Sequence, residues 1–259
     1  MKLSVVIPAY NEEKRIANSI SKVIDYLDRK KFDYELIIVD DGSTDTTVEI
    51  VQGFNNGKIR LLKNEVNRGK GFSVRRGMLA AENPYILFSD ADLSTPITEL
   101  PRLMKYINGY PIVIGSRRMK GSLIVTRQPW YRSIPGKVFP LMVNLLVLKG
   151  IRDTQCGFKL FRRAAAQELF PLQKLERFSF DAEILLLAQL KGYKIKEVPV
   201  VWANALDSKL NAVTDSYSMF VELLKVKANF LRGAYTQPKT SSPKVYTSKN
   251  TCRNAGKKT

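Results

Sequence analysis

The chain has no histidine among its 259 residues. That absence excludes an imidazole general base, a Ser-His-Asp triad and any histidine-held metal. Cysteine is nearly absent too. Cys156 and Cys252 are the only two, and Cys252 sits in a polar tail. They are too few for a disulfide framework or a cysteine-held zinc, so any metal here must be held by oxygen. Long apolar runs are also missing. The most apolar stretch, Val138 to Leu148, is eleven residues long and broken by Pro140 and Asn144, against the roughly 20 that a spanning helix needs. A chain that does not cross a membrane is expected. Met1-Lys2-Leu3-Ser4 runs straight into a strand pattern, so no signal peptide is expected either.

Acids are scarce beside bases: 24 Asp and Glu against 42 Lys and Arg, a formal charge of +18. Residues 236–259 hold six Lys or Arg and no acid, so residues 1–235 keep +12. A basic body seeks polyanions, whether nucleic acid, anionic lipid headgroups or phosphorylated substrates. The tail itself is Thr, Ser, Pro, Lys and Asn, a composition expected to be disordered. The rest is ordinary globular material, long enough for one large α/β domain or two small ones.

Short apolar runs at Leu3–Ile7, Glu35–Val39, Lys58–Leu62, Tyr85–Phe88 and Ile112–Gly115 read as buried strands. Between them lie helical patterns at Glu12–Asp28, Thr44–Phe54 (Ser43 or Thr44 as N-cap), Phe72–Ala81 and Ile97–Ile107. Such alternation implies right-handed crossovers and a mostly parallel sheet. The second half is less regular. Residues 117–136 read as a basic loop, Val138–Leu148 as an apolar helix, and Asp153–Lys159 as a lead into a strand. Helices at Ala164–Leu169 and Phe180–Leu190, a strand at Ile195–Trp202 and an amphipathic helix at Ser216–Gly233 follow.

Ligands in parallel sheets bind at the carboxyl ends of the strands. Three motifs fall there: Pro8 to Glu12, Asp40 to Ser43, and Asp90-Ala91-Asp92. The last is the sharpest. Two carboxylates leave a buried strand with nothing basic beside them in sequence, and so need a cation. Hard oxygen ligands suit Mg²⁺ or Mn²⁺ holding a diphosphate. In extended chain, residues i and i+2 point the same way, which would bring both acids to one metal. A surface Asp-x-Asp arises by chance, and Asp40-Asp41-Gly42-Ser43 could be a capping turn. The agreement of three motifs at one rim favours function.

Ser4 to Glu13, Val39 to Asp45 and Asp90 to Asp92 together resemble the family 2 glycosyltransferases. Asn67–Gly71, Gly115-Ser116-Arg117, Asp153–Lys159 and Phe180–Glu183 narrow the resemblance to the polyprenyl-phosphate sugar transferases, most of all the dolichyl-phosphate β-glucosyltransferases. The resemblance implies a GT-A fold over residues 1–235, with a nucleotide-binding half (1–116) and an acceptor-binding half (117–235). It implies inverting transfer of glucose from UDP-glucose to dolichyl or another polyprenyl phosphate. The alternatives are GDP-mannose as donor or a glycan hydroxyl as acceptor. A nucleic-acid-binding module is a third reading, disfavoured because acids at strand ends would repel phosphate.

By the same resemblance, Pro8, Ala9, Tyr10, Glu12 and Asp40 hold the nucleoside, Lys70 approaches the diphosphate, Asp90 and Ala91 contact the sugar or ribose, and Asp92 with Asp90 holds Mg²⁺ or Mn²⁺. A lipid phosphate is already ionised and needs no base, only placing and charge balance. Arg117, Arg127, Arg132 and Lys209 are the candidates, with Arg117 also counted as catalytic. Glu183 could contact acceptor or sugar, or be a buried carboxylate satisfied by Arg or Lys. A polyprenyl acceptor implies a membrane surface as partner, met through Val138–Leu148 and Ser216–Gly233, and a cytoplasmic enzyme peripheral on the cytosolic face.

Overall fold

The computed structural model describes residues 2–126, 148, 150–203 and 214–235. Nine strands are present among these residues: β1 (Lys2–Ala9), β2 (Asp33–Asp40), β3 (Ile59–Lys63), β4 (Tyr85–Ser89), β5 (Ile112–Ser116), β6 (Leu123–Thr126), β7 (Phe158–Arg162), β8 (Ile195–Pro199) and β9 (Val201–Ala203). Seven of them form one sheet in the order β3-β2-β1-β4-β7-β5-β8. Every neighbouring pair is parallel except those of β7, which runs against both β4 and β5. The sheet reverses its winding between β1 and β4, which opens a crevice at their carboxyl ends. Because β7 is antiparallel, its first residue, Phe158, pairs with the last of β4, Ser89. The loop before β7 therefore reaches the same rim.

Alternation along the strands feeds two cores. Leu3, Val5 and Ile7 face helix α1 (Ile16–Arg29), which buries Ile16, Ile20, Val23 and Leu27. Val6, Ile37 and Val39 face the other way, onto Val74 and Met78 of helix α3 (Lys70–Ala80). Each such side chain removed from water is worth about 1.5–3 kcal/mol. The remaining helices are α2 (Thr47–Gly53), α4 (Leu100–Met104), α5 (Arg163–Leu169), α6 (Phe180–Leu190) and α7 (Thr214–Leu231). Helix α6 is apolar nearly all round and is buried from Phe180 to Ala188, with α5 and α7 both packed against it. No helix among the described residues is long and apolar enough to cross a membrane.

Several boundaries differ from the sequence reading. Residues 12–15 form a lead-in turn to α1, with the Ile16 amide donating to the Glu12 carbonyl. Helix α2 starts at Thr47 rather than Thr44, because Ser43 and Thr44 bond to Asn11 instead of capping. The basic loop after Arg117 contains strand β6, whose partner in a small parallel sheet is β9. The strand expected over Ile195–Trp202 is two strands, broken at Val200, whose amide turns to the Ser116 carbonyl. The expected helix at Val138–Leu148 and the basic tail lie outside the described residues, apart from Leu148, which is buried.

Candidate active site

The first two rim loops are stitched together by side chains. The amides of Asn11, Glu12 and Glu13 donate to Ser43 Oγ, Thr47 Oγ1 and Asp45. In return the Thr44 amide donates to Asn11 Oδ1. Asn11 has φ +54°, a region asparagine tolerates better than most residues. The effect is to fix Pro8, Ala9 and Tyr10 against the end of β2, where Ala9 pairs with Asp40. Tyr10 is exposed at the rim. The Glu12 carboxylate is held by the Arg15 guanidinium through both oxygens.

The adjacent acids Asp40 and Asp41 have different surroundings. Asp41 accepts from Asn64 Nδ2 at 2.7 Å and from the amides of Arg68 and Gly69 at 3.1 and 2.8 Å. It anchors the loop that delivers Lys70. Asp40 turns Oδ2 to the amides of Gly42 and Ser43, while its Oδ1 is buried with no hydrogen-bond partner. A buried carboxylate oxygen without a donor is costly, and it is available to a ligand N–H or hydroxyl.

Asp90-Ala91-Asp92 is a turn and not extended chain: the Leu93 amide donates to the Asp90 carbonyl at 3.1 Å, and Leu93 has φ +46°. Strain of this kind collects at functional sites. The turn is tied down by Ser19, whose hydroxyl donates to the Ala91 carbonyl at 2.6 Å. Asp92 accepts from the Ser94 amide at 2.9 Å. Burial and the neighbouring Asp90 charge raise the Asp92 pKa.

The fold also supplies what sequence adjacency does not, a cation beside the pair. Lys70 Nζ lies 2.6 Å from Asp90 Oδ1. Its pKa is raised: burial pulls it down, but Asp90, Asp181 and Asp92 outweigh that. Beneath them Lys159, 2% exposed, donates to the Cys156 carbonyl at 2.7 Å and to Asp181 at 2.5 Å. Lys70 and Lys159 both stand over the Phe88 ring, at 5.5 and 5.6 Å from its centroid, where an aromatic face favours cations. Burial raises the Asp181 pKa, offset in part by Lys159 and Lys70.

Two carboxylates are the donor set on offer. Among the described residues no group of three acids or cysteines converges on one point. Two suffice for an ion of the Mg²⁺ type, which takes one or two carboxylates and fills the rest of its octahedron with phosphate oxygens and water. The mutual repulsion of Asp90 and Asp92 fits a cation between them.

Arg117, expected to meet the acceptor phosphate, follows β5 and grips Asp153 with Nε and Nη2 at 2.7 and 2.8 Å, its own amide adding a third bond at 2.8 Å. Asp153 is fully buried. Burial would raise its pKa, but Arg117 overrides this and holds it down to about 2. The guanidinium lies 5.5 Å from the Trp202 ring centroid. Arg127, Arg132 and Lys209 lie outside the described residues. Strand β9 is bound to this rim through the Ala203 amide, which donates to the Ser94 carbonyl at 2.8 Å.

A family profile described as "Glycosyl transferase family 2" matches residues 4–170. The chain belongs to glycosyl transferase family 2. It is 39% identical over 248 residues to a dolichyl-phosphate beta-glucosyltransferase of Dictyostelium discoideum, covering 90% of this chain and 76% of that protein. To the dolichyl-phosphate beta-glucosyltransferase of Homo sapiens it is 36% identical over 255 residues, covering 92% and 79%. Among solved structures it is similar to glucosyl-3-phosphoglycerate synthase from Mycobacterium tuberculosis in complex with Mn²⁺, UDP-glucose and glycerol 3-phosphate. That match has a TM-score of 0.66 and 19% identity, and covers 88% of this chain and 80% of that one. The likeness is one of fold, GT-A.

Several residues that shape the site of this glycosyltransferase escaped the sequence reading. Asp41, Lys159 and Gly157 were visible only as letters of motifs. What gives them roles is the pairing of β4 with β7 and the turn after β2. Glu183, read there as a contact to acceptor or sugar or as a buried carboxylate satisfied by Arg or Lys, is satisfied by neutral hydrogen-bond donors, with the Lys174 charge nearby. It is fully buried and accepts from the Lys174 and Leu175 amides and from the Tyr235 hydroxyl, the last at 2.7 Å. Its pKa is raised by burial, against the pull of those donors.

Proposed function

We propose that this enzyme transfers glucose from UDP-glucose to dolichyl or another polyprenyl phosphate, with inversion at the sugar. One observation carries the reading. Asp90 and Asp92, a carboxylate pair with the Lys70 ammonium against it, stand at the switch point of a GT-A sheet, in a chain whose alignment with dolichyl-phosphate beta-glucosyltransferases covers nine-tenths of its length. Residues 1–116 serve the donor and residues 117–235 the acceptor.

The unpaired Oδ1 of Asp40 accepts from the nucleoside, which rests on Pro8, Ala9 and Tyr10. Glu12 acts through Arg15 and the rim loops. Lys70 moves its charge toward the diphosphate. Asp92 and Asp90 would hold Mg²⁺ or Mn²⁺, which when bound supplies neutralisation of the leaving nucleotide. The acceptor phosphate is an anion at neutral pH, so no side chain has to take a proton from it. It needs placing in line behind the anomeric carbon, the task proposed for Arg117, Arg127, Arg132 and Lys209.

A polyprenyl chain is insoluble in water, so the encounter takes place at a bilayer surface, on the cytosolic face. Helix α7 supports this reading. Leu223 and Val226 are in the core, while Leu224 and Leu231 stand exposed beside Lys225 and Arg232. That is the pattern of an interfacial helix.

The test is a donor panel. Purified protein, Mg²⁺ and dolichyl phosphate in detergent are incubated with labelled UDP-glucose or GDP-mannose, and organic-soluble label is counted. Label from UDP-glucose alone is expected. Label from GDP-mannose alone would overturn the donor, and none from either would overturn the acceptor class.

A further inference from the structure

We propose that Lys70 is the internal counter-ion of the metal site: its ammonium covers Asp90 when the donor is absent, and the donor's diphosphate draws it off. Metal and nucleotide would then bind with positive coupling, and the metal alone would bind weakly. The inference rests on the metal-holding role just given to Asp90 and Asp92.

Three features carry it. First, the backbone of Asp90 is held in place. Its amide donates to the Gly157 carbonyl at 3.0 Å, and its Oδ2 lies so close over Gly157 that a methyl group there would be 1.9 Å away. Second, the backbone of Lys70 cannot move either. The preceding Gly69 amide is bound to Asp41, and the next two amides, of Gly71 and Phe72, donate to the carbonyls of Arg177 and Glu176, both at 3.0 Å. Only the side chain is left to move, and a lysine stem is long and flexible. Third, the contact suits exchange. Lys70 Nζ reaches Oδ1 at 2.6 Å, and no other group donates to that oxygen.

The second lysine is not free to do the same. Lys159 is buried and committed to Asp181 and the Cys156 carbonyl. Nor is Arg117, whose charge is matched by Asp153. Asp90, Asp92 and Asp181 therefore face Lys70 and Lys159, three acids against two ammonium groups. A divalent ion arriving alone meets a site already nearly neutral and has to compete with a unit charge on one of its own ligands. Arriving with a diphosphate, it meets a site whose lysine has a new anion to bind. Coupling of this sort between two ligands is commonly 5- to 150-fold.

The experiment measures Mn²⁺ binding by the loss of the free-ion paramagnetic resonance signal, on the full chain, with and without UDP. Wild type is compared with Lys70→Met and Lys70→Gln, each checked for folding by circular dichroism. Wild type should bind Mn²⁺ ~10-fold or more tighter with UDP. Without UDP, the folded variants should bind Mn²⁺ at least ~5-fold tighter than wild type, and their gain on adding UDP should shrink. If wild type shows the UDP effect but neither variant binds Mn²⁺ more tightly alone, the counter-ion role is wrong and the metal site stands. If wild type binds no Mn²⁺ even with UDP, the metal site itself is wrong and this inference goes with it.

Discussion

Gly157 backs directly onto Asp90: a Cβ built on it would sit 1.9 Å from Oδ2 and 2.2 Å from the carboxyl carbon. The antiparallel strand β7 exists at this edge with its entry loop pressed under the acid, and only hydrogen fits between them. Gly157→Ala should therefore push the Asp90 carboxylate off its position without unfolding the sheet. A displacement of about 1 Å at a reacting centre costs roughly 100-fold in rate. Steady-state assays should show a kcat loss of that order, with a cooperative thermal transition retained. Near-wild-type kcat would mean that Asp90 needs no fixed position.

The charge on Asp92 should cost the metal-free fold stability. Burial and Asp90 raise its pKa. For an acid whose folded pKa is raised, the charged form is a cost to the fold at every pH above that value, including neutrality. Asp92→Asn keeps an oxygen for the Ser94 amide and removes the charge. The variant should lose transferase activity by ~1,000-fold while melting at the same temperature or higher, a separation typical of functional acids. Excess EDTA should likewise abolish wild-type activity, and added Mg²⁺ or Mn²⁺ should restore it. Full activity in EDTA would remove the role given to this acid.

Much of this arrangement could be read from the sequence, for a physical reason. Buried parallel strands are continuous apolar runs, so β1, β2, β4 and β5 announce themselves, and their ends mark the rim. Helix α6 was legible to the residue, because eleven positions from Phe180 to Leu190, eight of them apolar, contain no Gly or Pro and are too long for a typical buried strand. What could not be read depends on pairing at a distance. Strand β6 is four residues long and lies on the small sheet with exposed Leu123, Ile124 and Val125, so it carries no burial pattern. Lys70 lies 20 positions from Asp90 in sequence and meets it only because α3 and β4 are adjacent in space. The extended geometry expected for Asp90–Asp92 gave way to a turn, which the positive φ of Leu93 completes.

The Arg117–Asp153 pair should govern acid stability. Folding lowers the Asp153 pKa from 3.8 to about 2. The stability it contributes is therefore complete above the unfolded value near 3.8, and is lost as pH falls through about 2. Asp153→Asn leaves the guanidinium without its counter-charge and should cost about 3 kcal/mol at neutral pH. Denaturant melts of the two proteins should differ by that amount at pH 7 and converge as the pH is taken down through this window. A constant difference across the window would show that the pair is not what Asp153 contributes.

Glu183 decides between two kinds of acceptor. An enzyme that glycosylates a hydroxyl needs a base, and this acid is a buried carboxyl with a raised pKa on the helix beside the site. Its contacts suggest another task. Two backbone amides and the Tyr235 hydroxyl all donate to it, so it fastens residues 174–175 and the end of α7 to α6. Glu183→Gln places an NH₂ where an acceptor is required and should cost about 1–3 kcal/mol, and Tyr235→Phe about 1 kcal/mol. Both variants should melt earlier yet, assayed below their transitions, show the wild-type pH–rate profile with a polyprenyl-phosphate acceptor. If Glu183→Gln abolishes a single ionisation in that profile while Tyr235→Phe does not, Glu183 is acting as a base and the phosphate acceptor gives way to a hydroxyl.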